Sequence, residues 1–165
     1  MSHDAQFTHA HMVRFDWPLA ATPDAVWAVL TDFKRLPAWY GDGMLEGKEG
    51  GTVRLMGSHI RGTVTQWQPP HKLAYSWNVF GPREDASPYP ESYLTLELSP
   101  QDSGTLLTLT HLPVLERFVK ANAMGWHTYL DMVDAAVRGI PVEPRDVLAK
   151  RNAERYGVDL SNMPR

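Results

Sequence analysis

From Glu116 to Arg138 apolar residues return at helical spacing. At about 100° per residue, Val119, Ala123, Trp126, Leu130, Val133 and Val137 share one side of a helix, and Arg117, Lys120, Asp131, Asp134 and Arg138 share the other. Gly139 and then Pro141 supply the stop. A stripe of this length must be buried against another element. Asn122 and Tyr129 stand on its shoulder, about two turns apart on either side of Trp126, while His127 falls on the polar side.

Upstream the period changes to two. Phe7, His9, His11, Val13, Phe15 and Trp17 share a parity, which predicts a first strand from Phe7 to Trp17, ended by Pro18. Thr22 as N-cap, Pro23 at the first helical position and Asp24 at the positive end of the dipole predict a short helix through Thr31, with Val26, Trp27 and Leu30 inward. A second helical turn is expected from Phe33 to Leu36, with Trp39, Tyr40 and Gly41 left exposed after Pro37. Strands are then predicted at Met44 to Lys48, Thr52 to Gly57, His59 to Gln68, Lys72 to Phe80, Ser92 to Ser99 and Thr105 to Leu112, punctuated by Gly, Pro, Asp and Ser. The links are short except Gly81 to Glu91, and short links join antiparallel neighbours rather than parallel crossovers. The three prolines of Gly81 to Glu91 predict a mobile loop there.

These elements predict an α+β protein in which a curved antiparallel sheet of about six to seven strands wraps a C-terminal helix about 34 Å long, with two short helices after the first strand. A sheet is wider than one helix, so a cavity is expected between them. Residues 1–140 are read as this domain. Residues 141–165 are read as a tail with a short helix from Arg145 to Arg155, which packs on the body, mediates a dimer or frays.

Composition narrows the partners. The chain has 165 residues, 43% apolar and 21% charged, which is the length and make-up of one soluble domain. A net charge of −3 without a basic stripe argues against nucleic acid. The absence of cysteine removes disulfides, zinc thiolates and thiol nucleophiles. No apolar run is long enough for a bilayer, and the first residues lack the apolar stretch of a signal peptide, so the expectation is a cytoplasmic protein with no membrane association.

Several side chains carry candidate chemistry. His111 shares parity with Leu107 and Leu109, so an inward row places the imidazole inward, either as a proton shuttle or as a histidine bonded to a backbone carbonyl. Asn122 and Tyr129 either orient a ligand or form a helix flank. Trp39, Tyr75 and Trp77 either line a pocket or belong to the core, and which face of the strand carrying Leu73, Tyr75 and Trp77 turns inward depends on register. His9 and His11 form a His-x-His pair without a third ligand, so no metal site is assigned. Asp42, Glu46 and Glu49 read as loop charges. Ser58, Ser76 and Ser92 lack an assignable base, and there is no nucleophile elbow, phosphate loop or dinucleotide fingerprint. No cofactor is expected.

Five segments then fall into a familiar order: TPDAVWAVLTD, Trp39-Tyr40-Gly41, RGTVTQWQPPHKLAYSW, SGTLLTLTHLP and GWHTYLDMV. Together they resemble the Hsp90-ATPase-activator homologue-1-like branch of the START-like (SRPBCC) superfamily, from about Phe7 to Arg138. The resemblance implies a helix-grip fold with a cavity between sheet and helix. It implies activity less narrowly, because the superfamily includes lipid and sterol carriers, hormone-binding proteins, aromatic polyketide cyclases and oxygenase ring-binding domains. The leading expectation is a domain that binds a hydrophobic or amphipathic small molecule, with His111, Asn122, Trp126, Tyr129, Trp39, Tyr75 and Trp77 as candidate pocket residues. The alternatives are a cyclase, lyase or hydrolase using His111 as proton shuttle, and a stress-related co-chaperone or interaction module. A homodimer is a candidate assembly.

Overall fold

The computed structural model describes residues 3–81 and 85–164. Chain order runs β1 (His11–Leu19), α1 (Pro23–Thr31), β2 (Met44–Leu45), β3 (Thr52–Leu55), β4 (Ile60–Gln68), β5 (Lys72–Val79), β6 (Ser92–Gln101), β7 (Gly104–Val114), α2 (Val119–Arg138) and α3 (Arg145–Tyr156). All seven strands form one antiparallel sheet in the order β1-β7-β6-β5-β4-β3-β2. The sheet grips α2 in the helix-grip arrangement of an α+β protein. Period-two alternation positions the core: Leu94, Leu96 and Leu98 of β6 and Leu107 and Leu109 of β7 face α2, which answers with Trp126, Leu130 and Val133.

In β4 a register shift between Val64 and Gln66 exchanges the parity of the strand, so that Trp67 turns inward and meets Trp27 of α1 with ring centroids 5.0 Å apart. Before the shift Val64 pairs with Tyr75 and beyond it Trp67 pairs with Leu73; Leu73 and Tyr75 are both buried in the core with Trp77 partly covered, which settles the inward face of β5. Helix α1 starts where local chemistry places it. Thr22 Oγ1 accepts from the Ala25 amide and Pro23 opens the helix.

Some boundaries move. The first strand begins at His11 rather than Phe7, because its partner β7 ends at Val114 opposite His11; Phe7 is 95% exposed. The second helical turn is a 3-10 turn at Leu36–Ala38, just beyond the predicted Phe33 to Leu36. The first predicted meander strand, Met44 to Lys48, shrinks to Met44–Leu45. The long helix begins with a 3-10 turn at Glu116–Phe118 before α2 proper. Residues 82–84 of the Gly81 to Glu91 loop lie outside the described residues.

Two corrections alter the interior. Trp39 and Tyr40 are not exposed but buried at 2% and 0%, because the 3-10 turn tucks them beneath α2, where Trp39 Nε1 donates to the Val29 carbonyl at 2.8 Å. The face of α2 away from the sheet is not simply wet. Met124, Thr128, Met132 and Ala135 are buried on that side, and α3 lies there with Leu148, Asn152 and Ala153 buried. Asn152 Nδ2 donates to Thr128 Oγ1 at 3.1 Å and to Asp131 Oδ2 at 3.0 Å. His127 is likewise half-buried, edge-on to Phe15 and Trp17 of β1 and 2.7 Å from the Tyr156 hydroxyl.

Candidate functional site

The inward row of β7 ends at His111, which is 2% exposed. The register of the sheet brings Ser92 of β6 and Trp77 of β5 beside it, and α2 supplies Asn122 and Trp126 from above. Trp126 Nε1 donates to His111 Nδ1 at 3.0 Å, Asn122 Nδ2 lies 3.1 Å from the same nitrogen, and Ser92 Oγ lies 2.8 Å from Nε2. An indole nitrogen can only donate, so Nδ1 must keep its lone pair and the neutral ring carries its proton on Nε2. Nε2 then donates to Ser92 Oγ, and the Ser92 hydroxyl donates onward to the Trp77 carbonyl. Burial pushes the His111 pKa down to about 4, so the ring is neutral at pH 7.

This assignment corrects two sequence-based expectations. His111 is tied to side chains rather than to a backbone carbonyl, and Ser92 does have a histidine beside it, 19 residues along the chain. The pair is wired in the reverse sense to a nucleophilic serine-histidine dyad, in which the imidazole offers a lone pair to the hydroxyl. Here the lone pair is on the far nitrogen, already capped by Trp126.

The same logic orients Asn122. Turning its amide over would aim Oδ1 at the Nδ1 lone pair, two acceptors face to face, so Nδ2 points to His111 and Oδ1 points away. Oδ1 is buried and has no hydrogen-bond partner.

A second group of rings adjoins the first. Trp77 Nε1 donates to the Tyr40 hydroxyl, and the Tyr40 ring meets Trp126 at 5.9 Å, Tyr129 at 5.2 Å and Trp39 at 4.4 Å between centroids. Tyr75 stands close enough for its hydroxyl to interact with that of Tyr40, and burial holds both phenols well above the ordinary tyrosine range, so they are neutral. Tyr129 donates to Met56 Sδ at 3.3 Å. Above it, the Arg145 guanidinium at the start of α3 lies 5.4 Å from the Tyr129 ring centroid and donates to the Trp39 carbonyl at 3.0 Å.

Of the seven sequence-predicted residues, His111, Asn122, Trp126 and Trp77 thus form one connected group, and Trp39, Tyr75 and Tyr129 join it through Tyr40. Tyr40 and Ser92 stand outside the seven. Ser92 shares parity with Leu94, Leu96 and Leu98, so the inward row of β6 carried a signal for it; Tyr40 had none, since its burial depends on a turn that no periodicity marks. His9 and His11 are exposed, one before β1 and the other at its first position, and among the described residues no group of three or more His, Asp or Glu side chains could hold a metal ion. Two surface clefts lie elsewhere: one of about 870 Å³ between Arg117, Lys120 and residues 157–164, and one of about 350 Å³ beside Pro18 and Arg138.

The family model described as "Activator of Hsp90 ATPase homolog 1-like protein" matches residues 20–138, which run from the end of β1 to the last residue of α2. The chain belongs to this family. Among solved structures, this Activator of Hsp90 ATPase homolog 1-like chain is similar to CalU16 of Micromonospora echinospora, with 26% identity over 90% of this chain and 87% of that one and a TM-score of 0.72. PFC0360w, an HSP90 activator from Plasmodium falciparum, is 22% identical over 80% of this chain and 99% of its own, with a TM-score of 0.65. The Aha1 dimer of Colwellia psychrerythraea is 20% identical over 77% and 96%, with a TM-score of 0.62. These last two likenesses are likenesses of fold. No curated protein matches the chain. Among the described residues no helix is long and apolar enough to cross a membrane.

Proposed function

We propose that this chain binds a hydrophobic or amphipathic small molecule between the sheet and α2, with residues 1–140 forming the binding unit and residues 141–165 bracing it. The observation that carries the reading is the buried, unpartnered Oδ1 of Asn122 amid aromatic rings. A pocket that holds a mostly apolar ligand needs few polar groups, and needs them placed to orient it. An acceptor buried without a donor costs roughly 1–3 kcal/mol, which a ligand supplying that donor returns.

A proton-shuttle role for His111 fits the geometry less well. The imidazole is neutral, its lone pair is capped and its N–H is committed to Ser92, so it offers neither a free base nor a ready acid. Native mass spectrometry of the purified protein, together with a thermal-shift screen of fatty acids, flavonoids and aromatic polyketides, should find at least one compound that binds and raises the melting temperature. A screen in which every class leaves it unmoved would remove the reading. Because the Colwellia relative is a dimer, the proposal extends to a homodimer, which light scattering on the eluting protein checks.

A further inference from the structure

Gly125 has no steric reason to be a glycine. It lies inside α2, where glycine costs helix stability relative to alanine, and its φ is not in the left-handed region. A Cβ built on it meets nothing within 4 Å. By contrast, a Cβ on Gly62 would fall 1.6 Å from the Ser76 carbonyl oxygen, so that glycine is required by the fold. The free space at Gly125 has a definite place. Asn122 is three residues before it and Tyr129 four after, so all three lie along one flank of the helix. The helix therefore leaves a gap in its own side-chain row, on the flank that also carries Asn122, whose buried amide oxygen lacks a donor and would reach the gap by side-chain rotation.

The hydrogen bonds around that amide state what is missing. The N–H of Trp77, the N–H of Trp126, the N–H of His111 and the O–H of Ser92 are all donated within the cluster. The unused valency is an acceptor. None of these groups is charged, and the guanidinium of Arg145 is engaged with the Trp39 carbonyl. A carboxylate set against Asn122 Oδ1 would bring acceptor to acceptor and is disfavoured there.

We infer that the Asn122, Gly125 and Tyr129 flank of α2 is the subsite for the polar end of the ligand, and that it takes an uncharged molecule with an aromatic or other apolar body carrying a hydroxyl or amide N–H. The inference rests on the small-molecule reading above and specifies its ligand class.

Titration calorimetry with 2-naphthol, 2-methoxynaphthalene and 2-naphthoate tests it, on the unaltered chain and on Gly125→Ala and Asn122→Leu. On the unaltered chain 2-naphthol should bind roughly tenfold more tightly than 2-methoxynaphthalene, which has the same body without the donor, and 2-naphthoate should bind most weakly. Asn122→Leu should abolish the preference for the naphthol while keeping the binding of the ether. Gly125→Ala should raise the melting temperature by roughly 1–4 °C and yet weaken naphthol binding about tenfold, a combination that a merely structural glycine would not give. Equal affinities for naphthol and ether, or undiminished binding to Gly125→Ala, would overturn the subsite while leaving the binding reading in place. If none of the three probes binds, the subsite falls, and the binding reading stands or falls with the wider screen described above.

Discussion

His111 is held neutral by a polar cage that has no room for its charged form, and unfolding returns it to the ordinary range near 6.5. Between that value and about 4 the unfolded chain binds a proton that the folded chain does not. Stability therefore rises with pH across this window; it is lost as pH falls from 6.5 toward 4, by up to about 3 kcal/mol, and this group changes nothing further below. His127, also lowered by burial, adds a slope of the same sign. Urea melts across the window should show the fall, and His111→Gln should flatten it. Equal slopes in the two proteins would separate His111 from the acid response. The inward direction of His111 was legible in the sequence, since Leu107, Leu109 and His111 share a parity. Its partners were not, because Ser92 reaches it only through the pairing of Leu94 with His111, a long-range register.

Elements whose signals are local were the most legible. The Thr22 cap and Pro23 announce α1 within a few residues, and the turns between strands announce the meander. The buried Trp39 and Tyr40 were hidden because their covering comes from α2, about ninety residues later, while their neighbours Pro37 and Gly41 look like loop. Contact of backbone with backbone between β4 and β5 gives a prediction at this scale. Gly62→Ala sets a methyl against the Ser76 carbonyl at 1.6 Å, so the two strands must separate where Ser76 Oγ accepts from the Thr63 amide. A loss of stability above about 3 kcal/mol is expected in denaturant melts. A variant as stable as the parent would mean that these strands can shift apart at no cost.

At the scale of the molecule, the largest surprise is α3. Its bounds nearly match the predicted Arg145 to Arg155, but its role does not follow from its composition, which is mostly charged and polar. Only Leu148, Asn152 and Ala153 are buried, and two of those three are small or polar. Yet these few residues cover Met124, Thr128, Met132 and Ala135, which lie outside the apolar stripe that made α2 recognisable. A chain ending at Gly139 is expected to expose that second face, bind a hydrophobic dye and melt at a lower temperature or lose its cooperative transition. Unchanged melting would show that α3 is a passenger.

With α3 across its back, α2 is held along both long sides, and swinging it away from the sheet would strip Leu148 and Ala153 from their places and break the bonds from Asn152 to Thr128 and Asp131. The ligand proposed above would then have to enter along the helix flank, past the side chains of Tyr129 and Asn122. Such entry would call for rotation of side chains and not for the microsecond-to-millisecond movement of a helix, and the frame around it would stay fixed.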